Sequence, residues 1–317
     1  IRRPPRSTQG VSSAASDVYK RQSLFFKGML MGIAEIIPGV SGGTLAFITG
    51  IYQELINSIK SINIESIRVL TKFQFKKFWT NINGSFLLTL LIGMITSILL
   101  LSRLITFLLN NYNFQIWGFF FGLIISSAFI ISKSISDFNF QNYCWLFLGL
   151  VVSGYISLVA PSSSPNSSFF IFLSGAVAIS AMILPGISGS FILVFLSKYE
   201  FILNALNSFD INILSVFISG CIFGLITFSR LLSYLFKNFN DIVISTLVGF
   251  LLGSLIKIWP FYEVVEYDLN NNPIYTTPVF PTTELLSEIV YFTIFSLIGI
   301  FIMWVLEKKF IGISKSN

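Results

Sequence analysis

Two copies of the motif P-G-x-S-G, at residues 38–42 and 185–189, combine residue types that can bind an anion without a metal. Proline removes a backbone donor and glycine permits conformations that end a helix, so each copy should interrupt an apolar helix. If a short helix restarts there, its first N–H groups and nearby hydroxyls suit an anion, especially a phosphate. The motifs therefore predict two anion-binding breaks, although small residues also serve simply to pack membrane helices closely.

Two arginines extend this candidate site. Arg103 and Arg230 occupy matching places in apolar segments, where a guanidinium is costly unless it has a partner or reaches the interface. The planar fork of arginine fits phosphate oxygens, so the pair is predicted to pass an anionic headgroup from one side to the other, with interfacial snorkelling as the alternative. The predicted substrate-binding residues are Pro38, Gly39, Ser41, Gly42, Gly43, Thr44, Arg103, Pro185, Gly186, Ser188, Gly189, Ser190 and Arg230.

One acidic residue distinguishes the two copies. Glu35 lies three residues before Pro38 in an otherwise apolar limb, and Met182 is its counterpart in the second copy. A carboxylate at membrane depth is either protonated or paired. We predict that Glu35 carries a coupling proton, and a structural ion pair is the alternative.

The composition indicates a membrane protein that has few catalytic side chains. Hydrophobic residues make up 54% of the chain and charged residues 11%, with 35 Phe, which is more apolar surface than a soluble fold can bury. There is no His, and Cys144 and Cys221 stand singly, which excludes a His-ligated or Cys-clustered metal site. No cofactor is predicted.

The N-terminal segment accounts for most of the positive charge. Residues 1–22 hold five Lys/Arg and one Asp, lack an apolar run, and resemble a translated adapter leader, so we expect them to be non-native. A native, disordered basic tail at the cytoplasmic surface is the alternative. Without them the chain has 15 basic and 13 acidic residues, which gives no support for nucleic-acid binding.

Most of the chain is internally duplicated. At an offset of 147 residues Tyr52 aligns with Tyr199, and at an offset of 127 the triplet S-R-L at 102–104 recurs at 229–231. Six stretches have roughly the 20 apolar residues of a spanning helix, near 85–109, 115–132, 143–160, 213–236, 242–259 and 289–306.

The two motif regions, 24–59 and 169–206, are predicted to be re-entrant hairpins. Each limb of about 14 residues rises about 21 Å, too little to cross a hydrocarbon core of about 30 Å. With this assignment, loops 110–114, 161–168, 207–212 and 260–287 contain no Lys or Arg. The opposite side contains Lys60, Arg68, Lys72, Lys76, Lys77, Lys133, Lys237, Lys308, Lys309 and Lys315.

This separation of charge predicts the topology. The basic side is cytoplasmic and holds both termini, while Lys257 near an outer helix end should snorkel. Each half then has one hairpin and three crossings, and an odd number of crossings inverts the second half. The predicted fold is an all-α polytopic membrane protein with an inverted repeat, residues 23–160 and 161–310, followed by a cytoplasmic tail, 311–317. The tips of the two hairpins should meet near the bilayer midplane.

The motif regions also carry a family resemblance. The stretch from Lys27 to Ile59, KGMLMGIAEIIPGVSGGTLAFITGIYQELINSI, resembles the N-terminal signature of the bacterial polyprenyl-phosphate translocase family, long catalogued as a membrane domain of unknown function. The second copy, ILPGISGSFILVFLSKYE, resembles the internal repeat of that family, and the resemblance covers about residues 24–310. It departs at Ser190, where the first copy has Gly43, which argues against equal roles for the two hairpins.

The resemblance implies a flippase rather than an enzyme. It would return undecaprenyl phosphate, or a similar polyprenyl phosphate, from the outer to the cytoplasmic leaflet of the bacterial cytoplasmic membrane for lipid-carrier recycling. Its partners would be this lipid and the bilayer, and proton or sodium coupling is compatible with that role.

Two other function classes stay open. A small-anion transporter would use the same hairpins but would lack a lipid-open, Phe-rich groove for the tail. An intramembrane lipid-phosphate enzyme needs a general base, and without His only a Ser–Lys dyad with Lys198 remains.

Overall fold

The structure, a computed structural model, describes residues 6–36, 41–158, 164–267, 273–282 and 285–308. Helices dominate these residues, and an antiparallel pair of strands, β1 and β2, occupies the long loop before the last helix. The elements in chain order are α1 Arg6–Ile36, α2 Gly42–Ile48, α3 Tyr52–Lys60, α4 Ile64–Thr71, α5 Phe75–Asn81, α6 Gly84–Asn111, α7 Asn113–Ser132, α8 Phe140–Leu158, α9 Ser168–Ile183, α10 Gly189–Phe195, α11 Tyr199–Asn207, α12 Ile211–Asn238, α13 Asn240–Ile258, β1 Tyr262–Tyr267, β2 Pro273–Pro278 and α14 Leu286–Leu306.

Five helices among the described residues are long and apolar enough to cross a membrane: α6, α7, α12, α13 and α14. The bent pair α10 and α11 would make a sixth if it is counted as one span. The remaining predicted span, 143–160, forms α8, which is not among the five. Gln141 and Asn142 in its first turn shorten its apolar part. The chain is therefore an all-α polytopic membrane protein.

The spanning helices pack closely because glycines line their contacts. Where α8 meets α13, a Cβ on Gly149 would lie 2.3 Å from the carbonyl oxygen of Thr246, and one on Gly249 would lie 2.1 Å from that of Leu146. No larger residue fits at such distances. Small residues that let backbones approach are the usual means of packing helices in a membrane.

The helix bounds follow the two sequence offsets. Helices α6 and α12 have 28 residues each and begin 127 positions apart, and α2 and α10 have seven residues each and begin 147 positions apart. The contacts also correspond, since α1 packs on α6 as α9 packs on α12, and α8 packs on α13 as α14 packs on α7.

The second limb of each motif region is shorter than predicted. It is a seven-residue helix, α2 or α10, and between α10 and α11 the chain bends by 105°. Gly50 and Ser197 have φ values of +75° and +52°, and the following N–H groups of Ile51 and Lys198 bond carbonyls five residues back. This left-handed ending stops both helices, so the predicted limb of about 14 residues is wrong here.

Candidate functional site

The two breaks, residues 38–44 and 185–190, contact each other. The hydroxyl of Ser41 donates to the carbonyl oxygen of Met182 at 3.0 Å, and that of Thr44 accepts from the N–H of Gly186 at 3.0 Å. A Cβ on Gly43 would lie 2.5 Å from the carbonyl oxygen of Ile183, so only glycine allows this approach. The two motif regions were predicted to meet, and they do; that they are hairpin tips at the bilayer midplane stays a prediction. Pro38 and Gly39 lie outside the described residues.

In the first break, neighbouring side chains of the same motif region bond the N–H groups at the start of α2. One carboxylate oxygen of Glu35 accepts from the N–H of Gly42 at 2.8 Å, and the hydroxyl of Ser41 accepts from the N–H of Gly43 at 3.1 Å. Ser41 and Thr44 are 1% and 0% exposed. The expected nest of unpaired N–H groups is therefore filled, because Glu35 sits where an anion would bind.

The second break lacks such a closure. Met182 stands in place of the acid, and Ser188 precedes α10 without a side-chain capping bond. The hydroxyls of Ser188 and Ser190 instead lie 2.8 Å apart. Pro185 is buried, and Gly186 has a φ of +84° with its backbone against that of Phe250. Gly189 is buried against α9, where a Cβ would lie 2.6 Å from the carbonyl oxygen of Ala178.

An apolar groove reaches the second break. It has a volume of about 510 Å³, is partly open to the exterior, and is walled by α8, α12 and α13. Leu184, which directly precedes the break, and Phe250, which contacts Gly186, form its inner end. Its lining residues are Gln141, Trp145, Leu184, Phe228, Leu231, Leu232, Leu235, Phe239, Ile242, Val243, Thr246, Leu247 and Phe250. A groove with this lining suits a hydrocarbon chain.

In the part of the chain that the structure describes, no hydrogen bond or ion pair joins the two candidate arginines to the breaks. The side chains of Arg103 and Arg230 are exposed on α6 and α12, and neither has a hydrogen bond or ion pair within the described residues. Neither lines the groove. Their role in headgroup transfer stays a prediction.

Two lysines named in the sequence analysis, Lys257 and Lys198, have neighbours that the sequence did not predict. Lys257 lines a small cleft beside the second break, with its ammonium 4.4 Å from the ring centre of Phe191. Its position in sequence, near the end of a span, gave no sign of that neighbour. Lys198 is 1% exposed and donates to the Ser164 carbonyl and the Asn166 side chain, each at 2.6 Å.

Comparisons with known proteins agree on one family. Residues 31–274 match the family described as undecaprenyl phosphate translocase-like. A polyprenyl-phosphate transporter of Vibrio cholerae is 41% identical over 250 residues, 79% of this chain and 81% of the relative. One from Staphylococcus aureus is 31% identical over 252 residues, 74% of this chain and 84% of the relative. No solved structure matches this chain significantly.

Proposed function

This chain belongs to the undecaprenyl phosphate translocase-like family, and from that membership we propose that it transports a polyprenyl phosphate across the membrane. The lipid is undecaprenyl phosphate or a close relative, carried from the outer to the cytoplasmic leaflet so that the carrier can be used again. The protein lies in the bacterial cytoplasmic membrane with both termini in the cytoplasm. The absence of Lys and Arg from the loops on one side supports this orientation.

The observation that carries the proposal is the apolar groove ending at the contact between the two breaks. A polyprenyl phosphate has a small anionic head and a long hydrocarbon tail. The second break supplies the hydroxyls of Ser188 and Ser190 for the head, and the groove supplies an apolar wall for part of the tail.

The architecture that we propose for this transport is an inverted repeat of residues 23–160 and 161–310. Each half has a re-entrant hairpin, 24–59 or 169–206, and three membrane helices. Two observations support it. Helices α6 and α12 have equal lengths, and α8 of the first half packs on α13 of the second, as α14 of the second half packs on α7 of the first. Transporters of this design move substrate by rocking one repeat against the other around a shared site.

Within that site we assign Glu35 to coupling. Its carboxylate holds the N–H of Gly42. Protonation would remove the negative charge and weaken this bond, which would expose the first break to a phosphate. Arg103 and Arg230 would attract the headgroup at the two ends of its route, one from each half.

Two other functions receive less support from the structure. A small-anion transporter has no use for a groove lined almost entirely by apolar residues. An enzyme with a Ser–Lys dyad would need the Lys198 amine beside a serine of a break, but that amine is bonded to Ser164 and Asn166.

The test uses purified protein in vesicles whose outer leaflet carries a labelled polyprenyl phosphate. We expect the label to reach the inner leaflet faster than in protein-free vesicles, and to do so with a rate that depends on an imposed proton gradient. A polyprenyl alcohol of the same length is the matched control and should not be moved. Equal rates with and without protein would refute the proposal.

A further inference from the structure

A narrow polar cleft borders the second break. Its walls belong to α8, α13 and the start of α10, and its lining residues include Ser153, Ser157, Ser188 and Lys257. The space at its centre is about 10 Å³, roughly that of one water molecule.

One of these hydroxyls has no partner. The Oγ atom of Ser153 is buried, the residue is 1% exposed, and no described residue accepts or donates a hydrogen bond there. A buried hydroxyl in this state is unfavourable unless a ligand or water completes it. The pair formed by Ser188 and Ser190 uses one hydroxyl proton between two oxygens, which leaves a second proton for a ligand.

Among the described side chains, the amine of Lys257 has no ion-pair partner. It lies over the ring of Phe191, and no carboxylate of the described residues is within ion-pair distance. Lys133, by comparison, pairs with Glu307 at 3.3 Å. A lysine and serines that line one cleft, with no carboxylate of the described side chains paired to the lysine, suit an anion.

The cleft continues the apolar groove along one face of α13. Val243, Leu247 and Phe250 line the groove, and Lys257 follows Phe250 after seven residues, which is two helical turns. Leu184 borders the groove and Gly186 borders the cleft, so the second break separates them. A polar end and an apolar length on one helix face match an amphiphile with an anionic head.

We propose that Lys257, Ser153 and Ser188 bind the phosphate group of the transported lipid at the second break. The assignment rests on the proposed function and names the headgroup site within it. Lys257 supplies the charge, and the two hydroxyls donate to phosphate oxygens. A phosphate is larger than the present space, so binding requires the cleft to widen, which the exposed side chain of Lys257 permits by changing its rotamer.

The test measures binding of a polyprenyl phosphate to the full chain in nanodiscs. Lys257→Gln and Ser153→Ala should each weaken binding about tenfold or more, the range for a hydrogen bond to a charged group. Lys257→Arg should retain binding because it keeps the charge. Ser153→Ala should keep or raise the thermal stability, since it removes an unpaired buried hydroxyl, which a purely structural serine would not do.

Two matched controls accompany these variants. Lys308 lies 3.8 Å from the ring centre of Trp304 at the end of α14, the same kind of contact without the hydroxyls, so Lys308→Gln should bind normally. Ser245 on α13 is equally buried, but its hydroxyl bonds the carbonyl of Asp241 at 2.7 Å, so Ser245→Ala should also bind normally.

The possible outcomes distinguish an error in the proposed headgroup site from an error in the proposed transport function. Wild-type binding that survives in both Lys257→Gln and Ser153→Ala overturns the site and leaves the transport proposal standing. A wild-type chain that does not bind the lipid at all overturns the transport proposal. Inorganic phosphate should not displace the lipid at equal concentration. If it binds alone, as tightly and with the same dependence on Lys257, the cleft is a free-phosphate site and the lipid assignment is wrong.

Discussion

At the first break, Glu35 and Ser41 accept hydrogen bonds from the N–H groups that open α2, whereas at the second break Met182 replaces the acid and Ser188 caps nothing. The hydroxyls of the first break also reach the second motif region, that of Ser41 at the Met182 carbonyl and that of Thr44 at the Gly186 N–H. Within the described residues, the hydroxyls of Ser188 and Ser190 bond only each other. The two motifs are nearly identical in sequence, but the polar groups of the first are bonded within the protein and those of the second are more available to a ligand. If the chain has the proposed inverted repeat, this difference is expected of one conformational state, in which one half is closed while the other can accept substrate.

Equivalent positions in the two breaks give the largest predicted difference. Gly43→Ala places a Cβ 2.5 Å from the carbonyl oxygen of Ile183, the last residue of α9 before the second break, and this carbonyl must move. We expect a loss of about 3 kcal/mol in unfolding free energy, the upper part of the usual range for overpacking. The matched change at offset 147, Ser190→Ala, affects an exposed side chain and should cost under about 0.5 kcal/mol.

Thermal unfolding in detergent compares the two variants directly. Similar losses for Gly43→Ala and Ser190→Ala would mean that the two breaks are equally tight, which would remove the structural basis of the asymmetry.

The arginines test whether both halves contact the headgroup. Arg103→Gln and Arg230→Gln should each weaken lipid-phosphate binding by about 1.5–3 kcal/mol, the range for a charge-assisted contact, while membrane insertion is kept. Equilibrium binding in nanodiscs measures this. A loss in only one variant would confine the headgroup to one half. Normal binding in both would reduce the two residues to interfacial anchors.

The serines of the two motifs give a smaller contrast. Ser41→Ala removes the cap on the N–H of Gly43 and the bond to the Met182 carbonyl, so it should cost about 1–2 kcal/mol of unfolding free energy. Ser188→Ala removes no cap and should leave the unfolding free energy nearly unchanged. Chemical denaturation of the two variants in one detergent supplies the comparison, and a larger loss at Ser188 would reverse the assignment of the closed break.

Glu35→Gln should have the least effect on stability and binding, because the amide oxygen still accepts from the N–H of Gly42. If Glu35 carries the coupling proton, this variant should abolish the pH dependence of transport yet spare headgroup binding. Transport rates in vesicles across a pH series provide the measurement. An unchanged pH profile would leave Glu35 as a residue that only closes the first break.

Much of the fold was predictable because a helix that crosses a bilayer needs a run of apolar residues of a defined length. The lengths of α6, α7, α12, α13 and α14 follow from apolar runs, and the positions of the breaks follow from proline and glycine. The early end of α10 was not predictable, because it depends on the left-handed conformation of Ser197, and serine rarely adopts that conformation. The strands β1 and β2 were also missed within a loop that was assigned no structure.

The contact between the two motif regions was predictable from the sequence, but the state of each break was not. Ser41 bonds the Met182 carbonyl and Thr44 bonds the Gly186 N–H, while the part of these residues in binding substrate stays a prediction. Which break is closed depends on where the Glu35 carboxylate points, and the role of Lys257 depends on how α8 packs on α13. The first is set by the rotamer of one side chain and the second by the packing of two helices far apart in the chain, and a spacing pattern along one helix carries no information about either.

The most direct test of the asymmetry is thiol accessibility at equivalent positions. In a chain with Cys144 and Cys221 replaced by Ser, single variants Ser41→Cys and Ser188→Cys are treated with a membrane-impermeant thiol reagent, with and without polyprenyl phosphate. A closed first break and an open second break predict that the Ser188 variant reacts and is protected by the lipid, while the Ser41 variant does not react. Equal reaction at both positions, or protection at Ser41 alone, would contradict the account.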